Sequence, residues 1–372
     1  MSQEIKRIGI LTGGGDCPGL NAVIRAVAKA AMTGGLEVVG IEDGYLGLIQ
    51  NRMRVLSRQD VSGILTQGGT ILGSCNKANP AKYAVPEGDG WVVRDVRDQV
   101  AKHYRDAGLD AMVVIGGDGT MSGAAKLADR GLRIIGVPKT IDNDLWATEV
   151  TFGHDTAVAT AAEALDKVHT TASSHHRVMV VELMGRYAGW LALHAGLAGG
   201  ADVILMPEIP FQMEKVAETC MRRNRGGKGF TIIAAGEGAK PAGGEMFVDS
   251  VVEDSPDPIR LGGVAKFVAK GIEKLTGLDA RTIVLGHIQR GGTPTPFDRI
   301  LATKFGHHAY QLVIQGGFGR LVVQQGGEIS SVPIVEVAEK VRTVPLDSSV
   351  MRAARAVGTC FGDGVTPFGP QC

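Results

Sequence analysis

Seven consecutive residues, Pro138-Lys139-Thr140-Ile141-Asp142-Asn143-Asp144, place a cation, a hydroxyl group and two carboxylates close together. The apolar run at residues 133–137 that precedes them is typical of a short buried strand. Because Pro138 ends this strand, we expect the charged residues on the loop at the strand's carboxyl end. Open parallel α/β sheets bind their ligands at that edge. The segment is therefore predicted to line a ligand site.

A second loop that could do chemistry follows the strand predicted at residues 112–115, and its sequence is Gly116-Gly117-Asp118-Gly119-Thr120. A glycine-rich loop lets backbone N–H groups approach phosphate oxygens, and the helix after it points its positive end at them. Asp118 adds a negative charge to such a loop, which indicates Mg²⁺ between its carboxylate and the phosphates. Together the two loops predict phosphoryl transfer, a reaction governed by positioning and charge neutralisation.

Each loop also has an ordinary structural explanation. Gly116-Gly117-Asp118-Gly119-Thr120 could be a tight turn, because glycine and aspartate are common turn residues. Asp142 and Asp144 could cap a helix. Both loops follow predicted strands within one α/β unit, however, and this coincidence favours the functional interpretation.

The composition limits the classes of function. A chain of 372 residues is long for one core, so two lobes are expected. Its 39 basic and 39 acidic residues give zero formal net charge, so no broad field attracts nucleic acid or a membrane. No stretch approaches about 18 consecutive apolar residues, so no membrane span is expected. The cysteines lack C-x-x-C spacing and suit a reducing cytoplasm; they are Cys17, Cys75, Cys220, Cys360 and Cys372.

Strand and helix patterns alternate along the chain, which predicts an α/β fold with parallel sheets covered by helices on both faces. A new cycle starts near His154, where we place the boundary between the lobes. A hairpin is expected around Gly326-Gly327. The expected strands are residues 7–12, 37–41, 112–115, 133–137, 178–183, 203–206, 230–235 and 282–285, and the main expected helices are residues 20–32, 92–107, 157–171, 187–197, 213–222, 264–275, 297–313 and 348–357.

Set beside known families, the two loops and three further motifs resemble the 6-phosphofructokinases. The further motifs are Gly13-Gly14-Gly15-Asp16-Cys17-Pro18-Gly19-Leu20-Asn21, Met184-Gly185-Arg186-Tyr187-Ala188-Gly189 and Gly286-His287-Ile288-Gln289-Arg290-Gly291-Gly292. All five occur in the family's order. The resemblance implies two Rossmann-like lobes with the active site in the cleft between them. It assigns residues 1–153 plus about 289–340 to the phosphoryl donor and residues 154–288 plus about 341–372 to the sugar phosphate.

The resemblance also implies a reaction, the transfer of a phosphoryl group from ATP to the 1-hydroxyl of fructose 6-phosphate in glycolysis, with Mg²⁺. Asp142 matches the general base, Thr140 contacts the transferred group, and Arg186 is the third catalytic residue. Asp118 matches the metal ligand. The implied donor-binding residues are Gly14, Gly15, Asn76, Lys77, Gly117, Asp118, Gly119 and Thr120. The implied sugar-phosphate residues are Thr140, Ile141, Asp142, Arg177, Met184, Gly185, Arg186, Glu237, Arg281, His287, Ile288, Gln289 and Arg290.

The resemblance further implies a homo-oligomer, dimer or tetramer, whose active site is shared between subunits. In the family, the arginines that match Arg177 and Arg281 reach across an interface to the 6-phosphate of the sugar, whereas His287 and Arg290 match residues that come from the same chain as the base.

Two departures from the family's pattern concern the phosphoryl donor. Many ATP-using relatives have arginine where this chain has Asn76, and Lys77 beside it supplies a charge without arginine's planar fork. Pyrophosphate-using relatives tend to have Asp at the position of Gly119 and Lys at that of Lys139, whereas ATP users mostly have Gly at both. Since Gly119 leaves room for an α-phosphate that Asp would repel, ATP is the expected donor and pyrophosphate the alternative.

Two other functions fit less well. Kinases that share only the Gly-Gly-Asp-Gly-Thr motif, such as the NAD and diacylglycerol kinases, do not account for Thr140-Ile141-Asp142-Asn143-Asp144. A catalytically dead regulatory relative is disfavoured because Asp118, Asp142 and Arg186 are intact. The part of the chain after residue 320 exceeds the short bacterial pattern and has no assigned role.

Overall fold

The structure is a computed structural model, and it describes residues 4–88 and 90–365. The chain divides into two compact units. The first consists of the chain up to Thr156 together with Val252–Pro258 and Arg290–Val341, and the second of Ala157–Val251, Ile259–Gln289 and the chain from Arg342 onward. None of the described helices is both long enough and apolar enough to cross a membrane.

Up to residue 156 the chain alternates between strands and helices of the first unit. The strands are β1 (Arg7–Thr12), β2 (Glu37–Ile41), β3 (Met53–Val55), β4 (Tyr83–Glu87), β5 (Gly90–Arg94), β6 (Ala111–Gly116) and β7 (Ile134–Pro138). The helices are α1 (Leu20–Thr33), α2 (Tyr45–Gln50), α3 (Arg97–Asp106) and α4 (Asp118–Ala128). Helix α5 (His154–His175) begins at the end of this stretch and continues in the second unit.

The rest of the chain supplies the second unit and returns to the first. The strands are β8 (Val178–Leu183), β9 (Val203–Leu205), β10 (Thr231–Gly236), β11 (Val248–Val251), β12 (Ile259–Leu261), β13 (Ala280–Val284), β14 (Arg320–Gln325) and β15 (Glu328–Pro333). The helices are α6 (Trp190–Ala198), α7 (Met213–Arg225), α8 (Val264–Thr276), α9 (Pro296–Gln315) and α10 (Ser349–Ala356), with short 3₁₀ turns at Gly286–Arg290 and Ile334–Glu336.

The first unit is built on a seven-stranded sheet with the order β15-β14-β7-β6-β1-β2-β3. Strands β14, β7, β6, β1 and β2 are parallel, and β15 and β3 pair antiparallel at the two edges. Since β2 and β6 lie on opposite sides of β1, the strand order reverses at β1, which is where such sheets bind ligands. The carboxyl ends of β1, β6 and β7 therefore hold three predicted loops side by side.

Burial explains why these central strands form. Every residue of β6 and β7 is buried, as expected for parallel strands covered on both faces. One face carries α2, α3 and α4, where Leu11 and Val114 of the sheet pack in one cluster with Val100 of α3 and Leu127 of α4. Helices α1 and α9 pack against each other, and α9 also contacts β7, β14 and β15. The predicted α/β class is confirmed.

The second unit is built on a four-stranded parallel sheet with the order β13-β8-β10-β9. Two separate apolar clusters flank it. One contains residues of α5, α6 and α10, such as Leu165, Leu193 and Met351. The other contains residues of α7 and α8, such as Val216 and Val268. Strands β8 and β10 are fully buried, whereas β13 forms an exposed edge.

The part of the chain after residue 320 completes both units. The hairpin of β14 and β15, expected around Gly326-Gly327, adds two strands to the sheet of the first unit. Further on, Val344, Met351 and Phe361 join the buried cluster of the second unit. This segment is therefore an integral part of both cores.

One expected helix is partly wrong. Residues 92–94, expected at the start of a helix over 92–107, belong to β5, which pairs with β4 in an exposed hairpin. Trp91, Val92 and Val93 are aromatic or β-branched, and such side chains favour a pleated strand. The helix, α3, begins only at Arg97. The sequence also did not predict the two-stranded sheets β4-β5 and β11-β12, the strand β3 or the helix α2, because such short elements carry little periodic signal.

The N-termini of α5 and α9 cap each other through buried side chains. The Asp298 carboxylate accepts hydrogen bonds from the Thr156 N–H at 2.8 Å and the Thr156 hydroxyl at 2.6 Å. In return, the Thr295 hydroxyl donates to Asp155 at 2.6 Å and accepts from the Asp298 N–H at 3.3 Å. Asp298 is fully buried, and burial raises its pKa from 3.8 to about 6.

The raised pKa makes the contribution of Asp298 to stability depend on pH. Above about pH 6 the folded protein carries the full penalty of a buried charge, and this penalty is relieved as the pH falls towards the unfolded value of 3.8. The variant Asp298→Asn has no titrating group at this position. When the pH is lowered from 7 to 5, the free energy of unfolding of the parent protein should therefore rise by about 1 kcal/mol relative to that of the variant. Thermal denaturation of both proteins at the two pH values tests this. A difference in Tm that is the same at both would contradict it.

Candidate active site

Backbone hydrogen bonds connect the loops that follow β1, β6 and β7. The Gly13 N–H donates to the Ile115 carbonyl at 2.8 Å, and the Lys139 N–H donates to the Gly116 carbonyl at 2.9 Å. These bonds continue the parallel pairing of the strands beyond their ends. The three loops are therefore held next to each other by the sheet itself.

The Lys139 side chain lies under the glycine loop after β1. Lys139 is 3% exposed, and its ammonium donates a hydrogen bond to the Gly15 carbonyl. The ammonium nitrogen is 3.5 Å from the position that a Cβ would take at Gly14, whose φ of +77° is a conformation that favours glycine. Burial lowers the pKa of Lys139, and the nearby Asp142 carboxylate opposes that shift.

Arg290, the residue at which the chain returns to the first unit, contacts the same glycine loop. Its Nη1 donates to the Asp16 carbonyl at 3.0 Å. A Cβ at Gly15 would lie 2.8 Å from this nitrogen, so only glycine allows the guanidinium to approach so closely. Lys139 and Arg290 thus place two cations against one loop, an arrangement suited to an anionic ligand.

Asp142 is held in a buried loop whose backbone is fixed by its neighbours. It is 4% exposed, and its N–H donates to the Thr140 hydroxyl at 3.0 Å. The Thr151 hydroxyl donates to the Thr140 carbonyl at 2.8 Å, and a ring nitrogen of His154 lies 2.6 Å from the Ile141 carbonyl. The segment between β7 and α5 therefore folds back and fixes the backbone that carries Asp142.

Two predicted motifs contain a non-glycine residue in the left-handed backbone region. Asn143 has φ 53° and Arg186 has φ 49°. This conformation is unfavourable for residues with a side chain, and it persists where the surroundings enforce it. Asparagine adopts it more readily than most residues, and the Thr151 hydroxyl lies 3.3 Å from the Asn143 Oδ1.

The loop after β6 leads directly into α4. Gly117 is the N-cap and Asp118 is the first helical residue, so the unbonded N–H groups of the first turn start at this loop. Gly119 is exposed, and a Cβ added there would meet no atom within 4 Å. The Thr120 side chain instead packs inward against Gly13 and Gly116. The helix end is thus open at Gly119 and can receive a phosphate.

Asp118 can hold a divalent metal together with a ligand. Within residues 4–88 and 90–365, no group of three or more His, Cys, Asp and Glu side chains is arranged to hold a metal ion. A hard cation such as Mg²⁺ does not require one, because one or two carboxylates and the substrate phosphates suffice. Asp118 lies at the open helix end and fits that role.

The segment that contains Asn76 and Lys77 is bonded to the glycine loop. The Ser74 hydroxyl donates to the Gly14 carbonyl at 2.5 Å, and the Gly14 N–H donates to the Cys75 carbonyl at 3.3 Å. Asn76 and Lys77 follow and are exposed. The Lys77 ammonium pairs with Asp254 at 2.6 Å.

In the second unit, one group of predicted residues gathers at the carboxyl ends of β8, β10 and β13. The Arg186 N–H donates to the Glu237 carboxylate at 3.0 Å, which connects the loops after β8 and β10. A Cβ at Gly238 would lie 1.9 Å from the Arg186 carbonyl, so the two loops are in close contact. Met184 and Gly185 precede Arg186 on the same loop. His287 follows β13 and is exposed.

Arg177 and Arg281 lie at the other end of the same sheet. Arg177 directly precedes β8, and Arg281 is the second residue of β13. Asp279 pairs with both, at 2.6 Å from the Arg177 Nε and through its other oxygen with Arg281. A strand of this length spans about 16 Å. The structure therefore brings these two arginines together, but not with Arg186 and Glu237.

Two neighbouring residues of the turn after β13 differ in burial. Ile288 is 69% exposed, whereas Gln289 is fully buried and its amide donates to the Gly286 carbonyl at 3.1 Å. In this conformation Gln289 fixes the turn and is closed to a ligand. Its role in binding stays a prediction.

Comparison with known proteins identifies the family. The family profile described as Phosphofructokinase matches residues 7–313. A curated relative from Clostridium perfringens (strain 13 / Type A), ATP-dependent 6-phosphofructokinase 2, is 50% identical over 366 residues, which cover 98% of this chain and 100% of the relative. The chain belongs to the phosphofructokinase family. The resemblance inferred from five motifs is confirmed.

Other phosphofructokinases are also similar to this chain in sequence or in fold. The ATP-dependent 6-phosphofructokinase of Chloroflexus aurantiacus (strain ATCC 29366 / DSM 635 / J-10-fl) is 48% identical over 98% of this chain and 99% of its own. The crystal structure of Pichia pastoris phosphofructokinase in the T-state has a TM-score of 0.77 at 33% identity, covering 90% of this chain and 35% of the much longer yeast chain. A pyrophosphate-dependent phosphofructokinase from Marinobacter aquaeolei has a TM-score of 0.77 at 23% identity, covering 93% of this chain and 88% of its own, and it supports the fold alone.

Several residues that contact predicted site residues were not assigned to the site from the sequence. Thr151, Asp254 and Asp279 are among them. Lys77 lies 177 positions from Asp254, and Arg177 lies 102 positions from Asp279, so no local pattern could reveal these two pairs. Thr151 could have been suspected, because it follows the motif that contains Asp142 and precedes the helix that the alternation predicted.

Proposed function

We propose that this protein is an ATP-dependent 6-phosphofructokinase that phosphorylates the 1-hydroxyl of fructose 6-phosphate. The observation that carries the proposal is the arrangement of three loops at one sheet edge. They present an open helix N-terminus with Asp118, a glycine loop flanked by Lys139 and Arg290, and the buried Asp142. The names of the relatives at 50% and 48% identity support the same reaction.

In this proposal Asp142 accepts the proton of the attacking hydroxyl. A carboxylate can do so late in the reaction, as the new P–O bond forms. The neighbouring Thr140 hydroxyl accepts the Asp142 N–H, so in the described part of the chain its own hydrogen is left to donate to a phosphoryl oxygen. Lys139 and Arg290 neutralise the charge that the phosphates bring to the glycine loop.

The metal of this reaction is proposed to be Mg²⁺. Asp118 would hold it together with phosphate oxygens and water, and the ion would neutralise the donor phosphates and hold them in line. The N–H groups at the start of α4 then bind the donor from the protein side.

The base assignment predicts the effect of Asp142→Asn. The amide keeps the shape of the side chain but cannot accept the proton, so kcat should fall by roughly 10²–10⁴-fold. Binding of fructose 6-phosphate, measured directly by calorimetry, should change little. Asp129→Asn, the same substitution at an exposed position on α4's C-terminal end, is the matched control. A kcat within about threefold of the parent enzyme would reject Asp142 as the base.

The donor is proposed to be ATP on the basis of the space at Gly119. The open surroundings of this residue leave room for the part of a nucleotide beyond the transferred phosphate. Lys139 is compatible with either donor, because its ammonium lies under the glycine loop. Pyrophosphate remains the second candidate only because Lys139 is typical of enzymes that use it.

Gly119→Asp is expected to harm the use of ATP more than that of pyrophosphate. Its φ is ordinary and no atom lies near the new Cβ, so the side chain fits without disturbing α4. The carboxylate would repel an α-phosphate, whereas pyrophosphate does not extend so far. Initial rates with both donors give the ratio of kcat/KM for ATP to that for pyrophosphate, which should fall at least about tenfold, corresponding to about 1.4 kcal/mol. Gly119→Asn, which adds the same bulk without charge, is the control, and an unchanged ratio in Gly119→Asp would refute this account.

The active site is proposed to be shared between subunits of a homo-oligomer. Arg177 and Arg281 lie at the amino end of the second unit's sheet, and Arg186 and Glu237 lie at its carboxyl end. One small sugar phosphate cannot contact both ends of one sheet about 16 Å apart. Two copies of the chain could, if the arginine pair of one copy contributed to the site of the other.

Complementation tests this sharing. Asp142→Asn and Arg177→Ala chains should each be nearly inactive alone. Hybrids of the two should recover activity, because some sites then combine an intact base with an intact arginine. Hybrid formation is verified by tags on the two chains and the assembly by sedimentation. No recovery in verified hybrids, or a fully active monomer, would show that each chain carries a complete site.

A further inference from the structure

The predicted donor-binding residue Lys77 already has an anionic partner in the protein. Its Nζ lies 2.6 and 2.9 Å from the two carboxylate oxygens of Asp254. Asp254 belongs to Val252–Pro258, the loop that joins β11 to β12 and is part of the first unit. The Asp254 side chain is 19% exposed and that of Lys77 is 50% exposed, so the carboxylate is the more enclosed of the two.

The position of Lys77 makes this pair relevant to the donor. The Lys77 N–H contacts the Cys75 sulfur at 3.4 Å, and the Cys75 carbonyl accepts the N–H of Gly14 in the glycine loop. The cation is thus anchored two residues from a direct contact with the loop on which the phosphates are proposed to bind. A donor phosphate and the Asp254 carboxylate are both anions that can pair with the same ammonium, which carries a single positive charge.

We propose that Asp254 sets the affinity for the phosphoryl donor by competing with it for Lys77. The carboxylate offsets the charge of the ammonium and holds it in place, so the pair lowers the affinity that Lys77 would otherwise provide for a donor phosphate. This inference rests on the proposed function, because it takes Lys77 as a donor-binding residue. It makes Asp254, which lies in an acidic loop with Glu253 and Asp257, a determinant of donor affinity outside the catalytic loops.

The test is a double-mutant cycle on Asp254 and Lys77. The dissociation constant of a non-hydrolysable ATP analogue with Mg²⁺ is measured by titration calorimetry for the parent, Asp254→Asn, Lys77→Met and the double variant. Exposed ion pairs of this kind shift equilibria by about two- to fivefold, so Asp254→Asn should bind the analogue two- to fivefold more tightly. Lys77→Met should bind it more weakly, and Asp254→Asn should then have no further effect.

Glu253→Gln is the matched control, because it removes the same charge from the neighbouring exposed position. It should leave the analogue's dissociation constant unchanged within about 1.5-fold. Unchanged or weaker binding in Asp254→Asn would overturn the proposal, and weaker binding would make Asp254 a residue that positions Lys77. Tightening that persists in the Lys77→Met background would overturn it as well, since it would be a general charge effect. If the parent enzyme fails to bind the analogue at all, the proposed function fails instead.

Discussion

The parallel pairing of β1, β6 and β7 is the constraint on which the candidate site depends. Adjacent parallel strands end at the same edge, and here their register continues into the loops through the bonds of Gly13 to Ile115 and of Lys139 to Gly116. The glycine loop, the helix end with Asp118 and the loop with Asp142 are thereby fixed relative to one another. A shift of one strand by one residue would separate them and reverse the side of the sheet that each side chain faces.

Burial then determines how strongly the charges of these loops act. Lys139 and Asp142 are both almost fully buried, and a buried charge interacts more strongly with another charge than it would in water. An unpaired buried cation would lose its proton, so Lys139 needs the Gly15 carbonyl and the nearby carboxylate. The same enclosure surrounds Asp142, the proposed base, and phosphoryl transfer requires such positioning more than unusual basicity.

The sequence allowed the prediction of those features whose signal is local. Long apolar runs such as Val178–Leu183 were predicted as strands within a residue or two, and the charged motif around Asp142 stood out because its residues are adjacent. Short elements such as β3 and the hairpin of β4 and β5 gave no such signal. Contacts between distant residues, among them Asp279 with Arg177, depend on the register of two strands and could not be read from either segment alone.

The same sheet geometry that assembles the site of the first unit divides the predicted residues of the second. Residues at the carboxyl ends of β8 and β10 meet because these strands are parallel neighbours, and for the same reason Arg177 and Arg281 meet at the amino ends. Asp279 holds the two guanidinium groups together and offsets their mutual repulsion. Parallel strands thus place predicted residues at both ends of one sheet. In the proposed function, their separation along the sheet is the physical reason to infer that a single chain is incomplete and that association of copies completes the sugar-phosphate site.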